Sequence, residues 1–575
     1  SWVKNLSPEG SDLRGNQQPD LIVVGAGAGG MTAALVAALD GLRVVLCEAS
    51  NQVGGTTATS AGTLWVPGNH EGQASGHGDA VDAARRYLDA LIGPLDARDR
   101  REAYLATAAQ ALNDIQARSS VAFVSSGMHP DYLPDLPGAA VSGRAVSPLP
   151  FDGRLLGRDF SRVRPPFPEF MVLGGMMVGK ADITALLNRY RSRRHLSHTA
   201  RLVLRYVIDR LRYPRGTRLV MGNALVARLF HSVRQAGVDV RFGWRLTSLE
   251  QAKGRVVGAR FMSDGQECTL RSRVGVILAT GGVGHSPHLR RELDPSGTQV
   301  HPLAPPSVRG EGVCSARELG AAIEQHPGNF FWQPVSHVPR ADGSTGLFPH
   351  LFLDRAKPGL IAVNAQGQRF VDEASSYHHF VEGMLRTGAV PAYLVCEAAF
   401  VKRYGLGAIP PGTSDLRKWL ARRYLVQAPT LDALAEVLGL PAGALPKTVE
   451  RYNENARRGV DPDFGKGASV FDRFNGDPAH TPNPCLAPIE SGPFCALAVW
   501  PGDAASSAGL VTDVHGRVHT EASLPIAGLY ACGNDAASVM QGRYPGPGST
   551  LGPAMVEGWR IAKHAYAEVS AQARG

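Results

Sequence analysis

Cysteine is scarce and unpatterned in this sequence. The 575 residues include seven cysteines, which are scattered and form no C-x-x-C pair. An odd, dispersed set excludes a disulfide framework and offers no clustered thiols for zinc. The sequence therefore predicts a chain that binds no metal and folds in a reducing, cytoplasmic setting.

Long apolar runs are also missing. No uninterrupted stretch reaches the roughly 18 apolar residues that indicate a membrane span, and residues 1–20 are polar where a signal peptide would have its apolar core. We therefore expect neither a spanning helix nor export by a standard signal. A chain of this length has room for two to four domains of about 100–200 residues each.

Glycine, in contrast, is abundant, with 66 residues, so a glycine pattern is informative only in context. An apolar run at 20–24 is followed by a glycine turn, a helix predicted from about 29 to 40, and a strand at 43–47 that ends before Glu48. The glycines of this unit are Gly25, Gly27, Gly29 and Gly30. This order predicts a dinucleotide site, with a pyrophosphate at the helix N-terminus and a ribose hydroxyl on the carboxylate.

The segment that follows this unit favours a bound flavin over a diffusing nicotinamide. Its small and hydroxyl-bearing side chains can line a pyrophosphate and the edge of a flavin ring. No histidine lies among them, so we expect FAD to be held without a covalent bond. The candidate cofactor-binding residues here are Gly54, Gly55, Thr56, Thr57, Ser60, Ala61 and Gly62.

Three later segments are predicted to return to the same cofactor. Two are strand-like runs, at 274–278 and 528–532, that end in turns. The third joins Tyr544 to a glycine-rich turn that opens onto a helix near Pro553. It offers a side-chain donor and a main-chain donor to one ligand oxygen, and a helix N-terminus to an anion. The candidate cofactor contacts are Ala279, Thr280, Gly281, Gly533, Asn534, Asp535, Ser549, Thr550 and Leu551.

Together these segments resemble the fumarate reductase/succinate dehydrogenase flavoprotein superfamily over nearly the whole chain. Tyr-Pro-Gly-Pro-Gly at 544–548 resembles the signature of the 3-ketosteroid Δ1-dehydrogenases, most closely the larger, membrane-associated members that act on cholest-4-en-3-one. The resemblance implies an α/β fold in which a Rossmann-like FAD-binding domain of the glutathione-reductase type carries an inserted α+β capping domain. It also implies introduction of a double bond between carbons 1 and 2 of a 3-ketosteroid.

The same resemblance implies roles for four residues. Tyr544 and the N–H of Gly548 would bind the carbon 3 carbonyl and stabilise the developing enolate. Tyr377 would remove a proton from carbon 2, and Tyr132 would hydrogen-bond that base. The hydrogen on carbon 1 would then leave as hydride to flavin nitrogen 5.

Other interpretations of these positions remain open. Tyr377 could be a core tyrosine, and the adjacent His378 and His379 are alternative bases. The residues around Tyr132 have a loop-like composition. The aromatic run at 330–332 suits either an apolar ring system or the protein core.

We expect the site to lie between two domains. Residues 1–299 and 506–575 are predicted to form the FAD-binding domain, and residues 300–505, which are rich in Pro and Gly loops, the catalytic capping domain. The helices predicted in the cap lie at about 414–423, 431–438 and 447–458. Tyr377 would then come from the cap, and the other three residues from the FAD-binding domain.

Positive charge is concentrated in one insert of the predicted FAD-binding domain. Residues 189–215 contain nine arginines and one aspartate, in a chain whose net charge is +9. Apolar residues recur at helical spacing from Leu196 to Leu211. The segment therefore predicts an amphipathic helix that lies either in an anionic membrane surface or on the protein body with a solvated basic face. No base-reading motif accompanies the arginines, so no nucleic-acid partner is expected.

Several functions are compatible with these patterns. The leading hypothesis is Δ1-dehydrogenation of a steroid with an artificial or quinone-type electron acceptor. The alternatives are a 3-ketosteroid Δ4-dehydrogenase, which should not need the Tyr544 oxygen clamp, and a fumarate-reductase-like flavoprotein. A non-enzymatic alternative is an FAD-binding partner of a membrane or nucleic acid. The expected location is cytoplasmic, with or without peripheral attachment to the inner face of the cytoplasmic membrane.

Overall fold

The computed structural model describes residues 18–94 and 97–574. The prediction that residues 1–20 contain no signal peptide falls on a segment of which residues 1–17 lie outside the described residues. The described strands are β1 (Leu21–Val24), β2 (Val44–Glu48), β3 (Leu64–Trp65), β4 (Phe123–Ser125), β5 (Ala145–Pro148), β6 (Phe151–Asp152), β7 (Met171–Val172), β8 (Met176–Met177), β9 (Arg218–Leu219), β10 (Asp239–Phe242), β11 (Arg245–Ala252), β12 (Arg255–Ser263), β13 (Gln266–Arg271), β14 (Gly275–Leu278), β15 (His301–Pro302), β16 (Ile323–Glu324), β17 (Phe330–Pro339), β18 (Thr345–Pro349), β19 (Leu360–Val363), β20 (Ala392–Glu397), β21 (Val426–Ala428), β22 (Phe494–Ser506), β23 (Gly509–Leu510), β24 (Arg517–His519) and β25 (Pro525–Ala531).

The α-helices include short single turns as well as long elements. In chain order they are α1 (Ala28–Leu39), α2 (His70–Ala74), α3 (Val81–Ile92), α4 (Arg98–Arg118), α5 (Lys180–Leu187), α6 (Arg193–Asp209), α7 (Met221–Gln235), α8 (Pro287–Leu293), α9 (Glu311–Arg317), α10 (Tyr377–Thr387), α11 (Ala398–Tyr404), α12 (Arg417–Ala421), α13 (Leu431–Leu438), α14 (Ala444–Arg458), α15 (Val470–Asn475) and α16 (Leu551–Arg574). Short 3₁₀ helices span Gly55–Thr59, Gly153–Arg162, Pro168–Phe170 and Gly533–Asp535.

The apolar runs near both termini form the centre of one mixed sheet. Its strand order is β10-β2-β1-β14-β25-β12-β11, with β13 paired to β12 and β24 paired to β25. The strands from β10 to β25 pair in parallel. β1 is buried throughout, as expected of a parallel strand that is covered on both faces. This topology confirms the predicted Rossmann-like FAD-binding fold.

Helices α1 and α16 pack closely on each other because glycine lines their contact. Ten of the twelve residues of α1 are buried. A Cβ atom added to Gly558 of α16 would lie 2.7 Å from the carbonyl oxygen of Gly29 in α1. The C-terminal helix thereby carries the preceding loop, which contains Tyr544, to the N-terminal nucleotide unit.

The middle of the chain forms a second sheet, with the strand order β18-β17-β22-β20-β19 and with β15 and β21 also paired to β22. The central β22 is a strand of 13 residues that runs antiparallel to β17 and β20. Helices α10, α11 and α13 pack against this sheet. An antiparallel sheet with packed helices is the α+β cap that the resemblance implies.

The secondary structure differs from the sequence-based expectation mainly in the middle of the chain. The first strand begins one residue later than predicted, and the first helix begins and ends one residue earlier than predicted. The helix expected over 414–423 is only the single turn α12, and α10 was not expected as a helix. α10 begins where the side chain of Ser376 accepts a hydrogen bond from the main-chain N–H of His379, which caps the N-terminus of the helix.

The basic insert forms α6, which follows the short helix α5, and its apolar stripe faces outward. α6 buries a different face, formed by Thr199, Leu202, Tyr206 and Asp209. The exposed fraction is 62% for Leu204. Other exposed apolar residues on or beside the two helices are Leu187, Tyr190, Leu196, Val207, Ile208 and Leu211. Among the described residues, no helix combines the length and the apolar character needed to cross a bilayer.

Candidate active site

The glycine turn after β1 has no room for a side chain at two of its glycines. Gly25 has a φ of +107°, and a Cβ atom there would lie 1.9 Å from the carbonyl oxygen of Ala279. A Cβ atom on Gly30 would lie 1.9 Å from the carbonyl oxygen of Gly25. At Gly27, in contrast, an added Cβ would meet no atom within 4 Å. The main chain at the start of α1 is therefore open to a ligand, as a pyrophosphate site requires.

Glu48 ends β2 beside this turn. Its carboxylate accepts hydrogen bonds from the main-chain N–H groups of Ala26 (2.9 Å) and Ser50 (3.0 Å). Burial raises the pKa of Glu48, and these hydrogen bonds oppose the shift. The acid is thus fixed at the strand end, where a ribose hydroxyl is bound in dinucleotide folds.

The segment 54–62 lies against the glycine turn. The N–H of Gly54 donates to the carbonyl oxygen of Ala26 (2.8 Å). Gly62 has a φ of +75° and lies so close to Gly222 that a Cβ atom would come within 2.8 Å of its nitrogen. The structure places the other predicted residues of this segment in or directly after one 3₁₀ turn; they are Gly55, Thr56, Thr57, Ser60 and Ala61.

Asp535 joins the two later segments. It is fully buried and accepts hydrogen bonds from the N–H groups of Thr280 (2.6 Å) and Gly282 (2.9 Å). Its carboxylate therefore braces the turn after β14, which includes Ala279 and Gly281. A small cleft opens beside this brace, and Gly533, Asn534, Thr550, Pro553 and Phe331 are among the residues that line it.

The predicted cofactor residues therefore lie together at the carboxyl ends of the parallel strands. In this arrangement the phosphates of FAD would lie at the open N-terminus of α1, a ribose at Glu48 and the ring near Thr550. The residues that would hold FAD are those of the glycine turn, Glu48, segment 54–62, the turn after β14, the 3₁₀ turn at 533–535 and the start of α16.

Three tyrosines from distant parts of the chain meet next to this cleft. The hydroxyl oxygens of Tyr132 and Tyr377 lie 2.8 Å apart. The ring of Tyr544 stacks on Tyr132 with the centroids 5.5 Å apart, and it meets Tyr377 edge-on at 5.2 Å. Tyr132 lies in the loop between β4 and β5, Tyr377 is the first residue of α10, and Tyr544 precedes α16. We name these residues the tyrosine cluster.

Gly548 lies at the turn that connects the tyrosine cluster to α16. Its φ is +85°, and a Cβ atom would come within 2.4 Å of the carbonyl oxygen of Thr63. Its own carbonyl oxygen accepts hydrogen bonds from the N–H groups of Trp65 (3.1 Å) and Gly552 (3.0 Å). The peptide that follows Gly548 is thereby fixed in orientation, and the turn permits glycine alone. Ser549 and Leu551 continue it into the helix.

A buried ion pair, not predicted from the sequence, supports this arrangement. The carboxylate of Asp131 accepts hydrogen bonds from Arg144 (2.6 Å) and the indole of Trp65 (2.9 Å). The neighbouring N–H of Tyr132 donates to the carbonyl oxygen of Pro545 (3.0 Å). The loops that carry Tyr132 and Tyr544 are therefore joined directly. The Asp before Tyr132 was visible in the sequence, but Arg144 gave no signal of its own.

Burial dominates the acid–base properties of the tyrosine cluster. It raises the pKa of Tyr132 and Tyr377 well above the ordinary value, and it also raises the pKa of Tyr544. His378, the alternative base, is buried, and its pKa falls to about 3. Its Nδ1 accepts a hydrogen bond from the N–H of Trp332 (3.0 Å), so this nitrogen is already occupied.

Aromatic rings enclose the tyrosine cluster. Phe352 meets Tyr377 at 5.4 Å between ring centroids, Phe471 meets Tyr132 at 5.0 Å, and Phe331 meets Tyr544 at 5.4 Å. Phe331 belongs to the predicted aromatic run, all of which is buried in β17. Phe352 and Phe471 were not predicted as site residues, because an isolated phenylalanine in a loop or a short helix carries no sequence signal.

Comparisons with known proteins agree with this geometry. A sequence family described as FAD binding domain matches residues 20–551. The 3-oxosteroid 1-dehydrogenase of Mycolicibacterium smegmatis is 36% identical and is matched over 97% of this chain and 99% of that protein. The 4-oxocyclohex-2-ene-1-carboxylate 5-dehydrogenase of Sinomonas cyclohexanicum is 35% identical, over 97% of this chain and 95% of that protein.

A solved structure extends the likeness to three dimensions. The 3-ketosteroid Δ1-dehydrogenase of Sterolibacterium denitrificans, in complex with 1,4-androstadiene-3,17-dione, matches with a TM-score of 0.88 and 36% identity, over 96% of this chain and 100% of that chain. The fold and the cofactor cleft thus define an FAD-dependent oxidoreductase. Within that class, the chain belongs to the 3-oxosteroid 1-dehydrogenase family. The predicted family, fold class and cofactor are confirmed.

Proposed function

We propose that this enzyme introduces a double bond between carbons 1 and 2 of a 3-ketosteroid. The observation that carries the proposal is the 2.8 Å contact between the hydroxyls of Tyr132 and Tyr377 inside a cluster that includes Tyr544. In this assignment Tyr377 removes the carbon 2 proton, and Tyr132 hydrogen-bonds it. The hydroxyl of Tyr544 and the N–H of Gly548 hold the carbonyl oxygen. FAD, when bound, supplies the hydride acceptor.

The energetics favour this division of roles. A proton next to a ketone is weakly acidic, and two donors aimed at the oxygen where charge develops can each lower the barrier by about 3 kcal/mol. Burial keeps Tyr544 protonated and therefore able to donate. A positioned base contributes roughly 10²–10⁴-fold in rate. The two donors to the ketone oxygen, Tyr544 and Gly548, which we call the carbonyl clamp, thus supply the larger part of the acceleration.

The walls of the site favour a steroid over a small keto acid. Relatives with nearly the same identity are named for a steroid and for a cyclohexene carboxylate. The rings that touch the tyrosine cluster include the uncharged Phe331, Phe352 and Phe471. His378 also meets Tyr544, at 5.6 Å between ring centroids, but burial lowers its pKa to about 3, so it offers no positive charge near neutral pH. A carboxylate placed against them would lose its hydration without gaining a cation, which is costly. The apolar rings of a steroid carry no charge whose hydration would be lost there.

Bleaching of the bound flavin tests this function. Under anaerobic conditions, we expect cholest-4-en-3-one or 4-androstene-3,17-dione to bleach the flavin absorbance, and an artificial quinone-type acceptor to restore it. Mass spectrometry and NMR of the product should locate the new double bond at carbons 1 and 2. Bleaching by a 4-oxocyclohexanecarboxylate alone would reject the steroid Δ1 assignment. So would conversion of 5α-androstane-3,17-dione, which is saturated at carbons 4 and 5, into its 4,5-unsaturated product.

The rate should rise with pH. A base with a raised pKa is mostly protonated near neutrality, and its ionised fraction grows about tenfold per pH unit below that pKa. Burial raises the pKa of Tyr377 well above its ordinary value, so kcat/KM should increase continuously from about pH 7 to pH 9. Tyr544 should not oppose this rise, because its pKa is raised as well. Steady-state kinetics over this range check the prediction, and a falling profile contradicts it.

We also propose the predicted domain division, with residues 1–299 and 506–575 binding FAD and residues 300–505 forming the cap. The two sheets support it, because the chain enters the second sheet at β15 and leaves it at β22. Tyr377 then belongs to the cap, and Tyr132, Tyr544 and Gly548 to the FAD-binding domain.

We further propose that the insert 189–215 docks on an anionic membrane surface. Its exposed stripe is apolar, with Leu204 at 62% and Leu211 at 81% exposure, and arginines flank it. An apolar face bordered by cations suits the interface of an anionic bilayer. Arg205 is not one of the docking cations, because it donates to Asp152 (2.9 Å).

Vesicle sedimentation tests the docking. We expect the variant Leu204→Glu/Leu211→Glu to lose binding to phosphatidylglycerol-containing vesicles by about tenfold or more, because burying two carboxylates at the interface removes apolar contact and adds repulsion. The matched control is Leu524→Glu/Val460→Glu, which alters two exposed apolar residues outside the insert. Equal binding by both variants, or no binding by the wild-type enzyme, contradicts membrane docking.

A further inference from the structure

Arg355 is an almost fully buried cation in the cap whose hydrogen bonds end on the main chain. It is 2% exposed. Its Nη1 donates to the carbonyl oxygens of Glu373 (2.8 Å) and Ser375 (2.9 Å). Its Nη2 donates to the carbonyl oxygen of Leu351 (2.8 Å), and its Nε to that of His350 (3.3 Å). One side chain therefore joins two separate loops.

Both loops lead directly to the tyrosine cluster. Ser375 lies two residues before Tyr377, and Leu351 is followed by Phe352, whose ring meets Tyr377 at 5.4 Å. The guanidinium also lies over the ring of Phe380 in α10, 4.9 Å from its centroid. Arg355 thus contacts the turn before Tyr377, the helix after it and the loop that covers it.

We infer that Arg355 is a positioning residue, which fixes the hydroxyl of Tyr377 against its partner Tyr132 across the two domains. The inference rests on the proposed role of Tyr377. The planar guanidinium presents its N–H groups in a fixed fork, so it can bridge carbonyls that diverge from one point, whereas a lysine ammonium on a flexible stem cannot hold the same four.

Its effect on the reaction is geometric. A base that is displaced by about 1 Å can lose about 10²-fold in rate without losing its chemical competence. The carbonyl clamp, Tyr544 and Gly548, lies on a different loop that Arg355 does not contact through any of these four hydrogen bonds. Removal of Arg355 should therefore slow proton removal and spare ketone binding.

The chain offers a matched control in Arg228. It also donates to three main-chain carbonyls, those of Leu149, Ser120 and Pro150, and lies over the ring of Phe151 at 5.4 Å. Its contacts lie in the FAD-binding part and include no residue of the tyrosine cluster. Arg228→Met removes a carbonyl-bridging arginine of the same kind without touching the turn that bears Tyr377.

The test compares the variants of both arginines in the FAD-loaded enzyme. We expect Arg355→Met to lower kcat about 30- to 100-fold with KM within about threefold, and Arg355→Lys to recover part of this loss. The deuterium isotope effect on kcat with substrate labelled at carbon 2 should rise in both variants, because proton removal becomes more rate-limiting. Arg228→Met should leave kcat and the isotope effect close to the wild-type values.

Hydrogen exchange provides a readout that does not depend on turnover. Amides of residues 373–380 should exchange faster in the Arg355 variants than in wild type or Arg228→Met. If Arg355→Met does not fold, the same measurements on Arg355→Lys and Arg355→Gln test whether Arg355 positions Tyr377. Unchanged kcat, isotope effect and exchange in an active enzyme overturn the inference alone, whereas a wild-type enzyme that no cyclic ketone bleaches overturns the proposed function instead.

Discussion

Tyr377→Phe is expected to lower kcat by about 10³-fold while steroid affinity stays within about threefold of wild type. The change removes one oxygen atom from a buried ring that keeps its contacts with Tyr132, Tyr544 and Phe352. The base is lost, but the shape of the site and the carbonyl clamp remain. Stopped-flow bleaching of the flavin measures the rate, and the spectral shift on steroid binding measures the affinity.

Tyr452→Phe is the matched control for this result. Tyr452 is also buried in the cap, with 1% exposure, and its hydroxyl accepts a hydrogen bond from the N–H of Ala487 (3.4 Å). We expect this variant to turn over at the wild-type rate. If Tyr377→Phe retains most of the activity, or if both variants lose it equally, Tyr377 is not the base. Of the two alternative bases, His379 is exposed on α10, and Nδ1 of His378 is already occupied.

Tyr544→Phe is expected to reduce kcat by about 10²–10³-fold through a different cause. Its hydroxyl is one of the two donors proposed for the ketone oxygen, where negative charge develops during proton removal. The loss should therefore be greater for kcat than for binding, with the dissociation constant of the steroid rising only about fivefold, the value of one hydrogen bond of about 1 kcal/mol. Transient kinetics and equilibrium titration separate the two effects.

The corresponding control is Tyr530→Phe in the FAD-binding part. Tyr530 is 3% exposed, and its hydroxyl lies 2.9 Å from Nδ1 of His564, away from the tyrosine cluster. Its activity should match that of wild type. A Tyr544→Phe enzyme that binds steroid less tightly but keeps its wild-type kcat would show that Tyr544 holds the substrate without stabilising the transition state.

The nucleotide unit could be predicted closely from sequence because its signals are local. The run from β1 to Glu48 spans fewer than thirty residues, and each step follows from the one before it. A Cβ atom is excluded at Gly30 by the carbonyl oxygen of Gly25 in the same turn. The same local logic predicted the start of α16 near Pro553, within two residues of its observed position.

The cap was less predictable because its helices depend on tertiary contacts. Tyr377 opens a helix that the sequence analysis did not predict, and the predicted 414–423 helix is a single turn. The amphipathic pattern of α6 was predicted. The sequence did not predict that the helix packs on the protein through the face of Leu202 and Tyr206 and leaves its apolar stripe exposed. Two faces of one helix can each bury apolar residues, and only the neighbouring chain decides which of them does so.

The sequence by itself determined the FAD-binding unit, the family and the identity of the tyrosines, since short-range spacing and motif chemistry specify them. Only the tertiary structure decided that Tyr132 and Tyr377 share a hydrogen bond, that a main-chain hydrogen bond joins the loops of Tyr132 and Tyr544, and that Arg355 bridges two others. Tyr132 and Tyr377 are 245 residues apart. Their contact depends on how two sheets pack, and no local pattern along the chain records that packing.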